Sequence, residues 1–310
     1  MTEPTVPRAG ITARGVRRTF GDVVAVDHID LDAPPGKVTA LVGPNGSGKT
    51  TLLLVLASLL VPDAGQVSIA GFDPVTQPRA VRARTGWMPD VFGTWESLTC
   101  REVLLTVGDA FALPRAAAAA RVDHLLELVH LADLRDRPTQ VLSRGQKQRL
   151  GLARALVHDP DVVLLDEPAS GLDPRSRIEL RGIVRGLAAE GRTVLVSSHV
   201  LAELDEMADR AVIVARGRTV AVEEVAAAAQ ARRTWRVRAL DTGVLLAALD
   251  ARRTPHPPPD RDGVEVELGS DVEAAELLAA LVRDGVPVVE LAPASGVLEQ
   301  AYLALTEDRR

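Results

Sequence analysis

Between two apolar runs, Val38 to Val42 and Leu52 to Leu60, stand Gly43, Pro44, Asn45, Gly46, Ser47, Gly48, Lys49 and Thr50. A short apolar run closed by glycine reads as a buried strand, and the leucine-rich run after Thr50 reads as a helix. The stretch is therefore strand, phosphate loop, helix, and it sets the chain among α/β folds.

The residue types have a physical reason. A phosphate chain must be wrapped closely by backbone N–H groups, and a side chain at Gly43, Gly46 or Gly48 would crowd that approach. Lys49 supplies a point positive charge to the outer phosphates and Thr50 offers a hydroxyl to Mg²⁺. The helix opening here adds unpaired N–H groups and the positive end of its dipole. Together they describe a site for a nucleoside triphosphate with Mg²⁺. Lysine occurs only at Lys37, Lys49 and Lys147, so background usage does not account for a lysine in this loop.

With 310 residues the chain suits one large domain plus a small one, and a hydrophobic fraction of 46% supports a proper core. A net charge of −6 carries no basic footprint, so nucleic acid is not expected as a partner. Cys100 is the only cysteine, which rules out an intramolecular disulfide and points to a reducing compartment. Residues 1–10 lack the apolar core of a signal peptide. The longest apolar run, Leu52 to Val61, is interrupted by Ser58 and is about half of what a bilayer span needs. The chain is expected to be soluble by itself.

From Ile11 to Ala33 a loose alternation rich in valine suggests two or three strands, with Phe20 at a turn. An aromatic there either stacks on a nucleotide base or belongs to the core. Gln66 to Ala70 reads as a strand, 71–78 as a loop, and 86–90 as the end of a short strand opening into a polar loop. Leucine and valine at helical spacing from Thr99 to His130 make a helical block inserted into an otherwise alternating chain.

A second helix start follows. Ser143 is a good N-cap with Gln146 three residues on, as in a capping box, and Gly145 lies between them. A polar, glycine-containing helix start is another anion site, or else an ordinary capped helix. If it is an anion site, either the chain holds two nucleotides or this end faces the nucleotide of another chain. Asp161 to Pro168 is a buried strand ending in adjacent carboxylates. Asp166 can reach Mg²⁺ or its waters, while Glu167 can accept a proton from a water aimed at the γ-phosphate. Ser170 to Asp173 forms a turn, and the strand from Thr193 ends at His199, which is structural or catalytic.

In this order the segments closely resemble the nucleotide-binding subunit of an ATP-binding cassette (ABC) transporter, over about Ile11 to Glu223. The stretch Leu142 to Gln146 is the most specific part of the resemblance. It implies an ABC-type P-loop NTPase domain over about 1–228, with an antiparallel β subdomain and an inserted helical subdomain at about 92–152. It implies ATP and Mg²⁺ as cofactors and a head-to-tail pair of chains in which the signature of one closes over the ATP of the other. By the same resemblance Phe20 stacks on adenine, and Gly43 to Thr50 with Thr51 surround the phosphates. Ser143, Gly145 and Gln146 meet the γ-phosphate in trans, and Thr50 and Asp166 hold Mg²⁺. Glu167 is the base, acting with Lys49 and with His199 as γ-phosphate sensor, and Asp173 crosses the dimer interface. Asp90 stands where the family usually carries glutamine. An ionised aspartate only accepts hydrogen bonds, so metal or water remains within its reach while donation to phosphate does not.

From Arg232 a different rhythm begins, with strands expected at 234–240, 264–268 and 286–291 and helices at 243–251, 272–283 and 297–305. Residues 229–310 form a small accessory α+β domain in this reading, regulatory or merely stabilising, and their ending resembles the extension of bacterial drug-exporter subunits. The expected function is ATP hydrolysis that energises a separate polytopic permease, for export of a drug-like or antibiotic compound. That places the chain peripherally at the cytoplasmic face of the membrane. The rival is a cassette ATPase acting mechanically on ribosomes or DNA. The single cassette and the acidic balance speak against it.

Overall fold

The chain divides into two compact units, Met1–Val222 and Glu223–Arg310. The computed structural model describes residues 10–91, 93, 95–225, 233–260, 263–294, 296 and 299. The larger sheet contains β1 (Ile11–Phe20), β2 (Val23–Ala33), β3 (Val38–Val42), β4 (Ala64–Ile69) and β5 (Thr85–Met88), then β6 (Val162–Asp166), β7 (Thr193–Ser198), β8 (Arg210–Ala215) and β9 (Arg218–Glu224). Their spatial order is β4-β1-β2-β9-β8-β3-β7-β6-β5.

The sheet has two characters. Strand β3 pairs in parallel with β7 and β8, and β6 pairs in parallel with β5 and β7. Every residue of β3, β6 and β7 is buried, which is why these strands read as continuous apolar runs instead of alternating ones. Strand β1 instead pairs antiparallel with β2 and β4, and its loose alternation reflects a half-buried edge region broken by a register shift after Ala13.

Helices α1 (Lys49–Leu56), α2 (Pro78–Arg84), α3 (Cys100–Ala110), α4 (Arg115–Leu128), α5 (Arg144–Leu156), α6 (Pro174–Ala189) and α7 (Leu201–Asp205) complete this unit. Leu52, Leu53, Val55 and Leu56 of α1 share one buried cluster with Leu41, Leu164 and Leu195 of the parallel strands and Ile11, Val16 and Ile29 of the antiparallel ones. Each such side chain contributes about 1.5–3 kcal/mol on burial, so α1 is the joint between the two parts of the sheet. The phosphate loop is therefore anchored directly to the core. In the helical block α3, α4 and α5 pack on one another, and α5 runs to Leu156. Helix α2 overlaps the end of the expected 71–78 loop and has only Val81 buried, too little periodicity to read from sequence.

The second unit contains β10 (Arg233–Ala239), α8 (Thr242–Ala251), β11 (Val264–Leu268), α9 (Asp271–Arg283) and β12 (Val288–Pro293). Its antiparallel sheet has the order β11-β10-β12 and encloses its own cluster of Trp235, Val237, Leu245, Leu249, Val266 and Leu281. The last strand begins at Val288, not at 286. Gly285 (φ 77°) ends α9, and the Val286 N–H donates to Leu281 O at 3.0 Å, so Val286 closes the helix and packs inward. Apart from residue 299, the helix expected at 297–305 lies outside the described residues. Among the described residues no helix is long and apolar enough to cross a membrane.

Candidate functional site

The parallel strands bring their C-terminal ends to one edge. Val42 pairs with Ser198, Asp166 with Ser197 and Met88 with Leu165, so the segments that follow β3, β5, β6 and β7 emerge side by side. That edge is where an open α/β sheet places ligands.

In the phosphate loop the glycines serve a purpose that sequence reasoning only half described. A Cβ at Gly43 would lie 2.2 Å from Val214 O, and one at Gly48 (φ 99°) 2.4 Å from Ala25 O. These two are required by the chain's own backbone; only Gly46 (φ 79°) faces open space and is needed for its conformation. The Ser47 hydroxyl is buried and has no hydrogen-bond partner among the described residues. Lys49, 6% exposed, donates to Gly43 O at 2.7 Å and Pro44 O at 3.3 Å, and lies 4.0 Å from Glu167 Oε1. Burial pulls its pKa below the ordinary lysine value, while Glu167 and Asp166 oppose that shift.

Across the loop, Thr50 Oγ1 donates to Asp166 Oδ2 at 2.9 Å, and Ser197 Oγ donates to Asp166 Oδ1 at 2.5 Å. Ser197 also accepts from the Glu167 N–H at 3.1 Å. Glu167 has φ 48°, in the left-handed region, a strain of order 1 kcal/mol held by its N–H bond and by the Ser170 N–H donating to its carbonyl. The result is that adjacent carboxylates take different partners. Asp166 meets Thr50 and Ser197, whereas Glu167 Oε2 lies 2.8 Å from His199 Nδ1. Serine at a strand end carries no pattern of its own, so the bridging place of Ser197 was not foreseen.

The second helix start is a capping box: the Gln146 N–H donates to Ser143 Oγ at 3.2 Å, and the Ser143 N–H to Gln146 Oε1 at 2.8 Å. It packs on the 170–173 turn. Arg144 donates to Ser170 Oγ at 3.0 Å, and a Cβ at Gly145 would lie 3.3 Å from Leu172. Asp173 caps α6, accepting from the Ser176 hydroxyl at 2.6 Å and the Ser176 N–H at 3.0 Å. Those bonds hold its carboxyl below the ordinary aspartate value.

Phe20 is 48% exposed with the Arg18 guanidinium 5.0 Å from its ring centroid, so it is not a core aromatic. Asp90 follows β5 and is fixed through its carbonyl, which accepts from Gln148 at 3.2 Å; its carboxylate is exposed and has no hydrogen bond to Thr50 or Asp166.

Hard oxygen donors at Thr50 and Asp166, a buried unpartnered hydroxyl at Ser47 and a buried ammonium suit a metal–nucleotide. A family model described as ABC transporter matches residues 26–170. The daunorubicin resistance ATP-binding protein of Streptomyces coeruleorubidus is 42% identical over 68% of this chain and 67% of its own length. This chain belongs to the ABC transporter ATP-binding family. Another relative of the cassette, the Nod factor export ATP-binding protein I of Burkholderia lata, is 40% identical over 70% of this chain and 71% of its own length. A solved ATP-binding subunit of an ABC transporter, 26% identical, matches the cassette with a TM-score of 0.66, covering 71% of this chain and 92% of that one. A dimeric bacterial ABC transporter cassette, 25% identical, gives a TM-score of 0.64 over 69% and 98%. The cassette is a nucleotide-binding ATPase subunit of a transporter.

Proposed function

We propose that two copies of this chain bind MgATP head to tail and hydrolyse it to drive a separate polytopic permease. The subunit would sit peripherally at the cytoplasmic face of the membrane, and the cargo would be a drug-like or antibiotic compound. The observation that carries this reading is the convergence of Lys49, Thr50, Asp166, Glu167 and His199 on one sheet edge. Export is supported by the relatives, one a daunorubicin resistance ATP-binding protein and another a Nod factor export ATP-binding protein.

In this reading the backbone of 43–48, with Pro44 and Asn45 at its rim, and Thr51 surround the phosphates, and Lys49 neutralises the outer ones. Thr50 and Asp166 would hold Mg²⁺, and Asp90 would serve the metal or a water. When bound, Mg²⁺ supplies positive charge against the phosphate oxygens. Glu167 accepts the proton of the attacking water, and His199, 2.8 Å from that carboxylate, senses the γ-phosphate. Phe20 offers a face to adenine; its hairpin leads into the strand whose Ala25 carbonyl abuts Gly48. Ser143, Gly145 and Gln146 of one copy close on the γ-phosphate held by the other, and Asp173 lies at the seam between the copies. Charge-assisted hydrogen bonds of about 1.5–3 kcal/mol each make a few γ-phosphate contacts enough to favour the closed pair. Hydrolysis removes that preference, which is how the permease would be driven. Residues 229–310 act as an accessory domain in addition to the 1–228 cassette in this proposal.

Glu167→Gln keeps the size of the side chain and removes the base. ATP binding should persist while turnover falls roughly 10²–10⁴-fold; near-normal turnover would remove Glu167 from the mechanism.

A further inference from the structure

Helix α6 carries Arg177, Arg181 and Arg185 four residues apart, on one face. Each meets an acid in the segment that follows His199. Arg177 Nη1 lies 3.3 Å from Glu203 Oε1, Arg181 pairs with Glu206, and Arg185 Nη2 lies 4.0 Å from Asp209 Oδ1. Two of these rungs are surface contacts of little energetic weight, since the Glu206 side chain is 65% exposed and that of Arg185 51%.

The first rung differs. The Glu203 side chain is only 13% exposed, and Arg177 also donates from Nε to Leu172 O at 3.1 Å, inside the 170–173 turn. One guanidinium thus grips two segments at once: the turn that ends on Asp173 and α7, which starts two residues after His199. Arginine suits this because its planar fork serves two acceptors in fixed directions, which an ammonium does not. The electrostatics run the same way. Burial pushes the Glu203 carboxyl up, Arg177 holds it down, Glu167 raises it, and His199 and a hydrogen bond from Ser198 lower it again. Glu203 therefore feels both members of the Glu167–His199 pair, and Arg177 is the cation that keeps its charge tolerable in a half-buried place.

We propose that Arg177 is a positioning residue that fixes the 170–173 turn and α7 as one body, so that His199 stays against Glu167 while the turn presents Asp173 to the second copy. It touches no reacting group and acts through His199 and Asp173. The inference rests on the reading of Glu167 as base and of Asp173 as an interface residue. Without Arg177, the turn loses a tether at Leu172 O, and Glu203 becomes a carboxylate lacking its cation beside Glu167 and His199.

The test is steady-state ATP hydrolysis by the full-length protein as Arg177→Met, Arg177→Lys, Glu203→Gln and the Met/Gln double variant. Arg177→Met should lower kcat about tenfold with KM for ATP within about twofold of wild type. Arg177→Lys, which keeps the charge facing Glu203 and loses the Leu172 bond, should fall between, and the double variant should be no worse than Arg177→Met alone. A kcat within about twofold of wild type in Arg177→Met, or losses that multiply in the double variant, would overturn the proposal. Should Arg177→Met not fold, wild-type kcat in both Arg177→Lys and Glu203→Gln overturns it equally. Glu167→Gln run alongside separates the two readings: turnover lost there but kept in Arg177→Met sinks the strut alone, and turnover kept there sinks the base assignment.

Discussion

At the scale of single residues, Ser197 joins what the neighbouring carboxylates keep apart. Its hydroxyl donates to Asp166 and accepts from the Glu167 backbone, so it holds one carboxylate directly and fixes the strained peptide that aims the other. Ser197→Ala is expected to reduce kcat about tenfold and to raise the Mg²⁺ concentration needed for half-maximal turnover, read by titrating Mg²⁺ at saturating ATP. An unchanged Mg²⁺ dependence would mean that Thr50 alone orients Asp166. Lys49, Thr50, Asp166 and Glu167 were legible in the sequence, because a lysine amid glycines and two acids closing an apolar strand are costly anywhere but at a charged ligand. Ser197 and Arg177 were not. Their roles arise from parallel pairing and from a helix face that meets a later segment, and neither leaves a local pattern. Phe20 was open in the sequence, and exposure excludes the core alternative.

Among the elements, the helix starts were the most readable, since caps are local chemistry. The box at Ser143 and Gln146 was visible in four residues, and α3 opens on another, Thr99 accepting from the Glu102 N–H while Glu102 Oε2 accepts from the Thr99 N–H. Thr99→Ala should cost about 1 kcal/mol, seen as a lower urea midpoint with an unchanged slope. Asp173 gives a pH test with a definite sign. Its pKa in the fold is depressed by Ser176, so its stabilisation is present above the ordinary aspartate value and is lost as pH falls through the depressed one. In Asp173→Asn that share of the acid-limb loss should disappear, as followed by thermal unfolding between neutral and acid pH. Elements without local signals were harder. Helix α2 has one buried side chain and α7 only five residues, while β8 was not foreseen although Ala211 to Val214 is the same kind of buried apolar run as β3.

For the whole molecule, the second unit has, among the described residues, an apolar cluster of its own, so its stability can be perturbed separately. Leu249 is fully buried in the cluster of the second unit, and Leu249→Ala should destabilise that unit by roughly 2–5 kcal/mol. ATP binding by the cassette should be unchanged, measured with a fluorescent nucleotide while proteolysis follows the second unit. A parallel loss of nucleotide binding would show that the two stabilities are not independent. The fold of the cassette was legible because its motifs fall in a fixed order along the chain. The cargo was not, because no residue of an ATP-hydrolysing edge needs to touch it. As proposed, this ATPase energises a separate permease. The most direct test is to tag the chain, solubilise membranes of its native host in mild detergent, and identify what co-purifies with ATP present. A stoichiometric polytopic membrane protein is expected. Recovery only from the soluble fraction, or with ribosomes or DNA, would contradict it.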